Sequence, residues 1–204
     1  MTPHVHIVDD DEAIRDSLSW LMKTRGVACL TFASGEAFLE AWTPDLCGAI
    51  LLDMRMGGMN GSELFDILRG QGNQMPVIFL TGHGDVPMAV AALKKGAFDF
   101  VEKPCNDNEL VDRLEEALKL DAAQRASAAS ADSFKRRCDR LSSRERQVMA
   151  LVLAGKLNKN IADELQISIR TVEVHRSSVF DKMGVRTAVE LARLVSESTD
   201  KTKP

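Results

Sequence analysis

Ala49-Ile50-Leu51-Leu52 and Val77-Ile78-Phe79-Leu80 are four-residue runs with no polar side chain, and each is followed at once by a polar one, Asp53 and Thr81. A strand with one solvated face alternates apolar and polar residues. A run that is apolar at every position has no solvated face and fits a parallel sheet covered by helices on both sides. Val5-His6-Ile7-Val8, residues 27–32 and residues 98–101 read as further strands. Helical spacing fills the intervals. Ile14, Leu18, Leu21 and Met22 share one face, Ser34 can cap a helix over residues 34–42, and residues 62–69, 86–95 and 108–120 follow. Five strands alternating with five helices predict a doubly wound α/β domain with a five-stranded parallel sheet.

Beyond residue 120 the pattern changes. Residues 121–133 are mostly Ala, Ser, Gln and Asp, with nothing that must be buried, and their alanines permit the preceding helix to continue. The stripe Leu110, Leu114, Ala117 and Leu118 is short for a coiled coil and is expected to pack on the domain's own sheet. After residue 140 only helices fit, at residues 143–154, 159–165, 169–182 and 188–197. The expected organisation is an α/β domain over 1–120, a linker over 121–137 that can be helical, and a small all-α domain over 138–204.

Charge divides the chain at nearly the same place. Residues 1–133 carry 11 Lys and Arg against 21 Asp and Glu, whereas residues 134–204 carry 15 against 9. An acidic front and a basic back imply different partners, with nucleic acid the first candidate for the basic part. No apolar run approaches the ~20 residues that span a bilayer. The start, Met1-Thr2-Pro3-His4, lacks the basic and apolar regions of a secretory signal. Cys29, Cys47, Cys105 and Cys138 are scattered without Cys-x-x-Cys spacing, so reduced thiols and a cytoplasmic location are expected rather than zinc or a disulfide framework.

An open parallel sheet binds ligands at the carboxyl ends of its strands. There the sequence places Asp9 and Asp10 after the first strand, Asp53 after the third, Thr81 after the fourth and Lys103 just beyond the fifth. Taken singly these residues are ordinary: helix caps, a strand-end threonine, a surface lysine. Together they match what phosphorylating a carboxylate requires. Clustered carboxylates recruit Mg²⁺ or Mn²⁺, hard cations that prefer oxygen ligands. Asp53 is placed to be the nucleophile, while Lys103 and Thr81 offer a cation and a hydroxyl to phosphoryl oxygens.

Val8-Asp9-Asp10-Asp11, Leu52-Asp53-Met54-Arg55-Met56, Thr81-Gly82-His83-Gly84-Asp85-Val86-Pro87 and Glu102-Lys103-Pro104 together resemble a CheY-like receiver domain over residues 4 to about 120, and the Thr81–Pro87 stretch resembles the FixJ subfamily. The resemblance implies that Asp53 accepts a phosphoryl group from a sensor histidine kinase. It also implies that Asp9, Asp10, Asp53 and the Arg55 backbone carbonyl hold Mg²⁺, that Thr81 and Phe100 form a switch pair, and that the Lys103-Pro104 bond is cis. Two positions depart from the family pattern: Gly57 stands where proline is usual and Cys105 where phenylalanine is usual. His83 reads as a loop residue with a packing or hydrogen-bonding role. His4 and His6 read as solvated residues of an edge-like strand.

In the basic region, Ser142 or Ser143 can cap a helix, with Glu145 or Arg146 following. Gly155 closes it, and a short helix, a tight turn and a longer helix come next. Spacing alone leaves a protein-binding bundle open. Residues 141–194, and above all Thr171-Val172-Glu173-Val174-His175-Arg176, resemble a LuxR/NarL-type helix-turn-helix. That resemblance places Glu173, Val174 and Ser177 toward bases and makes Lys159, Thr171, His175, Arg176 and Lys182 candidates for DNA phosphate. Val148, Leu151, Ile161, Ala162, Leu165, Val172, Val179 and Met183 are assigned to the core.

The whole reads as a two-component response regulator and transcription factor. Phosphorylation of Asp53 is expected to promote homodimers through the face of helix 86–95 and strand 98–101, and hence promoter binding, with RNA polymerase as a further candidate partner. It is expected to accept a phosphoryl group, with autodephosphorylation open to it, rather than to act as a turnover enzyme. An aspartyl-nucleophile phosphatase commonly carries a second acid two residues after the nucleophile, where this chain has Arg55. A DNA-binding protein whose receiver serves only for dimerisation is the other alternative.

Overall fold

The computed structural model describes residues 2–82 and 86–200. His83, Gly84 and Asp85 from the Thr81–Pro87 stretch lie outside the described residues. The chain divides into two compact units, Met1–Gln124 and Arg125–Pro204.

In the first unit the strands are β1 (His4–Val8), β2 (Cys29–Phe32), β3 (Gly48–Asp53), β4 (Val77–Thr81) and β5 (Asp99–Glu102). They form one parallel sheet in the order β2-β1-β3-β4-β5. The helices α1 (Glu12–Thr24), α2 (Gly35–Ala41), α3 (Gly61–Gly70), α4 (Val86–Lys94) and α5 (Asp107–Asp139) connect and follow them. The two faces of the sheet carry separate cores. Ile50, Leu52, Val77 and Phe79 pack with Phe38 of α2, Leu64, Phe65 and Leu68 of α3, and Ala92 of α4. Ala49, Leu51, Ile78 and Leu80 pack with Leu18, Leu21 and Met22 of α1 and with Leu110, Leu114 and Ala117 of α5. Residues of β3 and β4 thus alternate between two cores, which is why their runs need no polar member. The doubly wound α/β expectation is met.

Local signals set the helix ends. Ser34 caps α2 by accepting the Ala37 N–H at 3.1 Å. Asn60 and Glu63 form a reciprocal capping box at the start of α3. Residues 121–137 are helical throughout, as part of α5. Asp121, on α5, is buried and accepts the N–H of Gly48 at 2.9 Å, tying the helix to the start of β3.

The histidine expectation is corrected. β1 is not an edge strand, because it pairs with β2 on one side and β3 on the other. His6 is therefore buried, with Nε2 3.3 Å from the Cys47 carbonyl and its ring against Phe38 and Phe32. Burial lowers its pKa below the usual imidazole value. His4 is half-buried, with Nδ1 2.7 Å from the Thr2 carbonyl.

The second unit contains the end of α5 and helices α6 (Ser143–Leu153), α7 (Asn158–Leu165), α8 (Ile169–Met183) and α9 (Ala188–Asp200). Val148, Ile161, Ala162, Val172, Val179 and Met183 are buried in one core, with Leu151 and Leu165 partly buried against it. Gln166 closes α7 in the left-handed conformation at φ 53°, and Ser168 caps α8 through the Thr171 N–H at 3.1 Å. These two residues make the tight turn between the short helix and the longer one.

Candidate functional site at the sheet edge and on helix α8

The parallel register places the sequence-predicted residues side by side. Val8 pairs with Leu52, so Asp9 follows β1 beside Asp53 at the end of β3. Thr81 ends β4 opposite Glu102, and the next residue, Lys103, donates its backbone N–H to the Thr81 carbonyl at 2.7 Å. The Lys103-Pro104 bond is cis. Lys103 Nζ lies 2.9 Å from Asp9 Oδ2 and 2.5 Å from Asp53 Oδ1. The remaining Asp53 oxygen, Oδ2, accepts the Arg55 N–H at 2.8 Å.

The three consecutive aspartates divide their roles. Asp11 caps α1, accepting the N–H groups of Ala13 and Ile14. Asp9 is buried, accepts the Asp11 N–H on Oδ1 and accepts from the Lys103 ammonium on Oδ2. Asp10 is exposed and takes the Gly57 N–H on Oδ2 at 2.8 Å. Gly61 lets α3 approach the site, since a Cβ there would lie 2.2 Å from the Asp53 carbonyl oxygen.

The electrostatics are uneven. Burial raises the Asp53 pKa above the usual carboxylate value, and the neighbouring Asp9 charge acts in the same direction, while the Lys103 ammonium opposes both. For Lys103, burial acts to lower the pKa, but hydrogen bonds to Asp53 and Asp9 outweigh it and hold the ammonium above its ordinary value. Two carboxylates thus share one ammonium in a mostly buried pocket, leaving an excess negative charge. Thr81 is fully buried, and its hydroxyl has no hydrogen-bond partner among the described residues. An unpaired buried hydroxyl costs about 1–3 kcal/mol, so the site is organised for a group that supplies an acceptor. Phe100, two residues before the Thr81-paired position on β5, is half-buried against the core that contains Phe79.

No group of three or more His, Cys, Asp and Glu side chains gathers as a metal cage among the described residues. Mg²⁺ does not require one: it keeps several waters and is held by one or two carboxylates plus phosphate oxygens. Asp9 and Asp53, with the surplus negative charge, are hard oxygen donors of that kind. The residues fit such a cation.

On α8, Arg170, Glu173, Val174 and Ser177 are exposed along one stripe, opposite buried Val172, Val179 and Met183. Thr171, His175 and Arg176 are half-buried at its margin, and Lys159 on α7 is exposed. The Arg176 guanidinium stacks over Phe180 at 5.5 Å from the ring centroid. Lys182 is placed differently from the other basic candidates. Its Nζ sits 2.8 and 2.7 Å from the two oxygens of buried Glu145, so its ammonium is already paired within the fold. Glu145 also closes the capping box with Ser142 and accepts the Ser178 hydroxyl at 2.5 Å. Sequence reasoning missed this hub, reading Glu145 only as a cap residue. It also passed over Arg170, an exposed cation beside the recognised segment, on the same stripe as Glu173, Val174 and Ser177.

Similarity to known proteins agrees with both halves. The family of the response regulator receiver domain matches residues 5–115, and that of bacterial regulatory proteins of the luxR family matches residues 139–195. The chain is 52% identical over 192 residues to the C4-dicarboxylate transport transcriptional regulatory protein DctR of Rhodobacter capsulatus, covering 93% of this chain and 98% of that protein. It is 45% identical over 191 residues to the transcriptional regulatory protein FixJ of Rhizobium meliloti, covering 93% of each. Among solved structures, the response regulator StyR matches with a TM-score of 0.90 and 39% identity, over 97% of this chain and all of that one. No helix among the described residues is long and apolar enough to cross a membrane. The chain therefore belongs to the response regulators that join a receiver domain to a LuxR-type DNA-binding helix-turn-helix.

Proposed function

We propose that Asp53 is the phosphoacceptor, and that its phosphorylation by a sensor histidine kinase promotes dimerisation and promoter binding. One observation carries this reading: the Thr81 hydroxyl, unpaired among the described residues, lies at the same sheet edge as a carboxylate pair that shares a single lysine. An Asp53 carboxylate oxygen attacks the phosphorus of the kinase phosphohistidine, the N–P bond breaks, and an acyl phosphate forms on Asp53. The Lys103 ammonium and the Thr81 hydroxyl then turn to the new phosphoryl oxygens. Asp9, Asp10, Asp53 and the Arg55 carbonyl would hold Mg²⁺, which neutralises charge on the phosphoryl oxygens. Movement of Thr81 toward the phosphoryl group frees space for Phe100 to turn inward, reshaping the face of α4 and β5 on which dimers form.

In the second unit, Glu173, Val174 and Ser177 face bases, and Lys159, Thr171, His175 and Arg176 approach phosphates. Lys182 is reassigned to bracing α8 against α6 through Glu145. Acetyl phosphate with Mg²⁺ tests the phosphoacceptor: intact mass should show one phosphoryl group on the chain and none on Asp53→Asn. Equal labelling of the two proteins would refute the assignment.

A further inference from the structure

Gly57 and Gly58 stand together in the loop of residues 54–60, which leads from Asp53 into α3, but only one of them is explained by its backbone. Gly58 has φ +85°, a region that favours glycine. Gly57 does not lie in the left-handed region, and a Cβ there would meet nothing closer than Asp10 Oδ2, at an ordinary 3.6 Å. What Gly57 does contribute is its N–H, donated to Asp10 Oδ2 at 2.8 Å. Both residues are exposed, so the bond is open to exchange with solvent and solutes. A second carboxylate holds the same loop from another side: Glu36 Oε1 accepts the Met59 N–H at 3.1 Å. Of the two tethers, only the Asp10 one ends on a residue of the phosphorylation site.

We propose that the Gly57 N–H and a divalent cation compete for the Asp10 carboxylate, so that cation binding releases the loop after Asp53 at Gly57 while Glu36 still holds it at Met59. This inference rests on the reading of the acidic edge as a cation site. The backbone donor lowers cation affinity and links the state of the metal site to the freedom of the segment that connects Asp53 to α3. Among substitutions at this position, proline is distinctive because it removes the donor, whereas alanine fills the same open space and keeps it.

The test is a calorimetric Mg²⁺ titration of the full-length chain, of Gly57→Ala and of Gly57→Pro. Gly57→Ala should bind within about twofold of the unaltered chain, and Gly57→Pro about threefold to tenfold more tightly, the weight of one hydrogen bond. Exchange of the Gly57 amide hydrogen in the unaltered chain should quicken on Mg²⁺ saturation while that of Met59 does not. Equal or weaker binding by Gly57→Pro overturns the proposal, as does a matching gain in Gly57→Ala. Should Gly57→Pro not fold, the amide exchange decides, and an unchanged Gly57 rate overturns the proposal. Mg²⁺ failing to bind the unaltered chain at all would remove the cation-site reading itself, and the competition with it.

Discussion

Each unit of this protein contains a lysine paired with a largely buried carboxylate, Lys103 with Asp53 and Lys182 with Glu145, and the two pairs are finished in opposite ways. Glu145 has every neighbour it can use: Lys182, the Ser178 hydroxyl and the Ser142 N–H. Hydrogen bonds from Lys182, Ser178 and Ser142 hold its pKa down to about 2. Asp53 shares its lysine with Asp9, and burial pushes its pKa up instead of down. At the same edge the Thr81 hydroxyl goes unpaired among the described residues. A saturated carboxylate is a structural tie with little left to offer. A carboxylate that is buried, shares its ammonium with a second carboxylate and has its pKa raised is the kind of group on which the proposed phosphoryl chemistry rests.

The comparison fails first if Lys103 proves dispensable. Lys103→Met should slow labelling of Asp53 by acetyl phosphate on the order of 10²-fold, because it removes the cation that meets the phosphoryl oxygens. A rate near that of the unaltered protein would make Lys103 a structural partner like Lys182. Next in size is the hub. Glu145→Gln should lower the stability of the helical unit by about 2 kcal/mol in urea unfolding followed by circular dichroism, since a half-exposed lysine softens the cost of breaking the pair. The sign with pH follows from the lowered pKa. The Glu145 contribution is complete above its ordinary value of 4.5 and is lost as pH falls toward about 2, so this acid sensitivity should be weakened in Glu145→Gln.

Smaller effects sharpen the contrast between Lys182, paired within the fold, and Arg176, proposed to meet DNA phosphate. Arg176→Ala should weaken promoter binding across sequences and reduce the salt slope by about 1. Lys182→Met, compared at a temperature where both remain folded, should leave the slope as it is. The smallest effect concerns Asp53 itself. Its raised pKa means that the ionised form opposes folding, a contribution favourable below the ordinary carboxylate value and lost as pH rises through the folded one. At neutral pH without divalent cation, Asp53→Asn should therefore unfold at an equal or higher urea midpoint, the reverse of Glu145→Gln.

Much of this architecture is legible in the amino-acid sequence. Strand and helix periods are local properties, so the fully apolar runs of β3 and β4 and the cap at Ser34 mark their elements directly. The cap of α6 is narrowed by sequence to Ser142 or Ser143 and proves to be Ser142. Because parallel strands bring their carboxyl ends to one edge, knowing where each strand stops suffices to bring Asp9, Asp53, Thr81 and Lys103 together. The three-aspartate run is legible only as a cluster. Which aspartate caps α1, which meets Lys103 and which takes the Gly57 N–H depends on side-chain directions that no spacing encodes.

The amino-acid sequence alone carries the element types and the acidic strand ends, since these rest on periodicity, capping and residue chemistry within a few positions. The helix-turn-helix is legible only through the resemblance of residues 141–194 to a known family. That β1 is an internal strand rather than an edge, and so that His6 is buried rather than solvated, followed only from the tertiary fold. It alone decided that Lys182 answers to Glu145, a residue on another helix, and that the Thr81 hydroxyl finds no partner among the described residues. Those outcomes depend on contacts between residues far apart in the chain, where closing the loop and packing the core choose the neighbours.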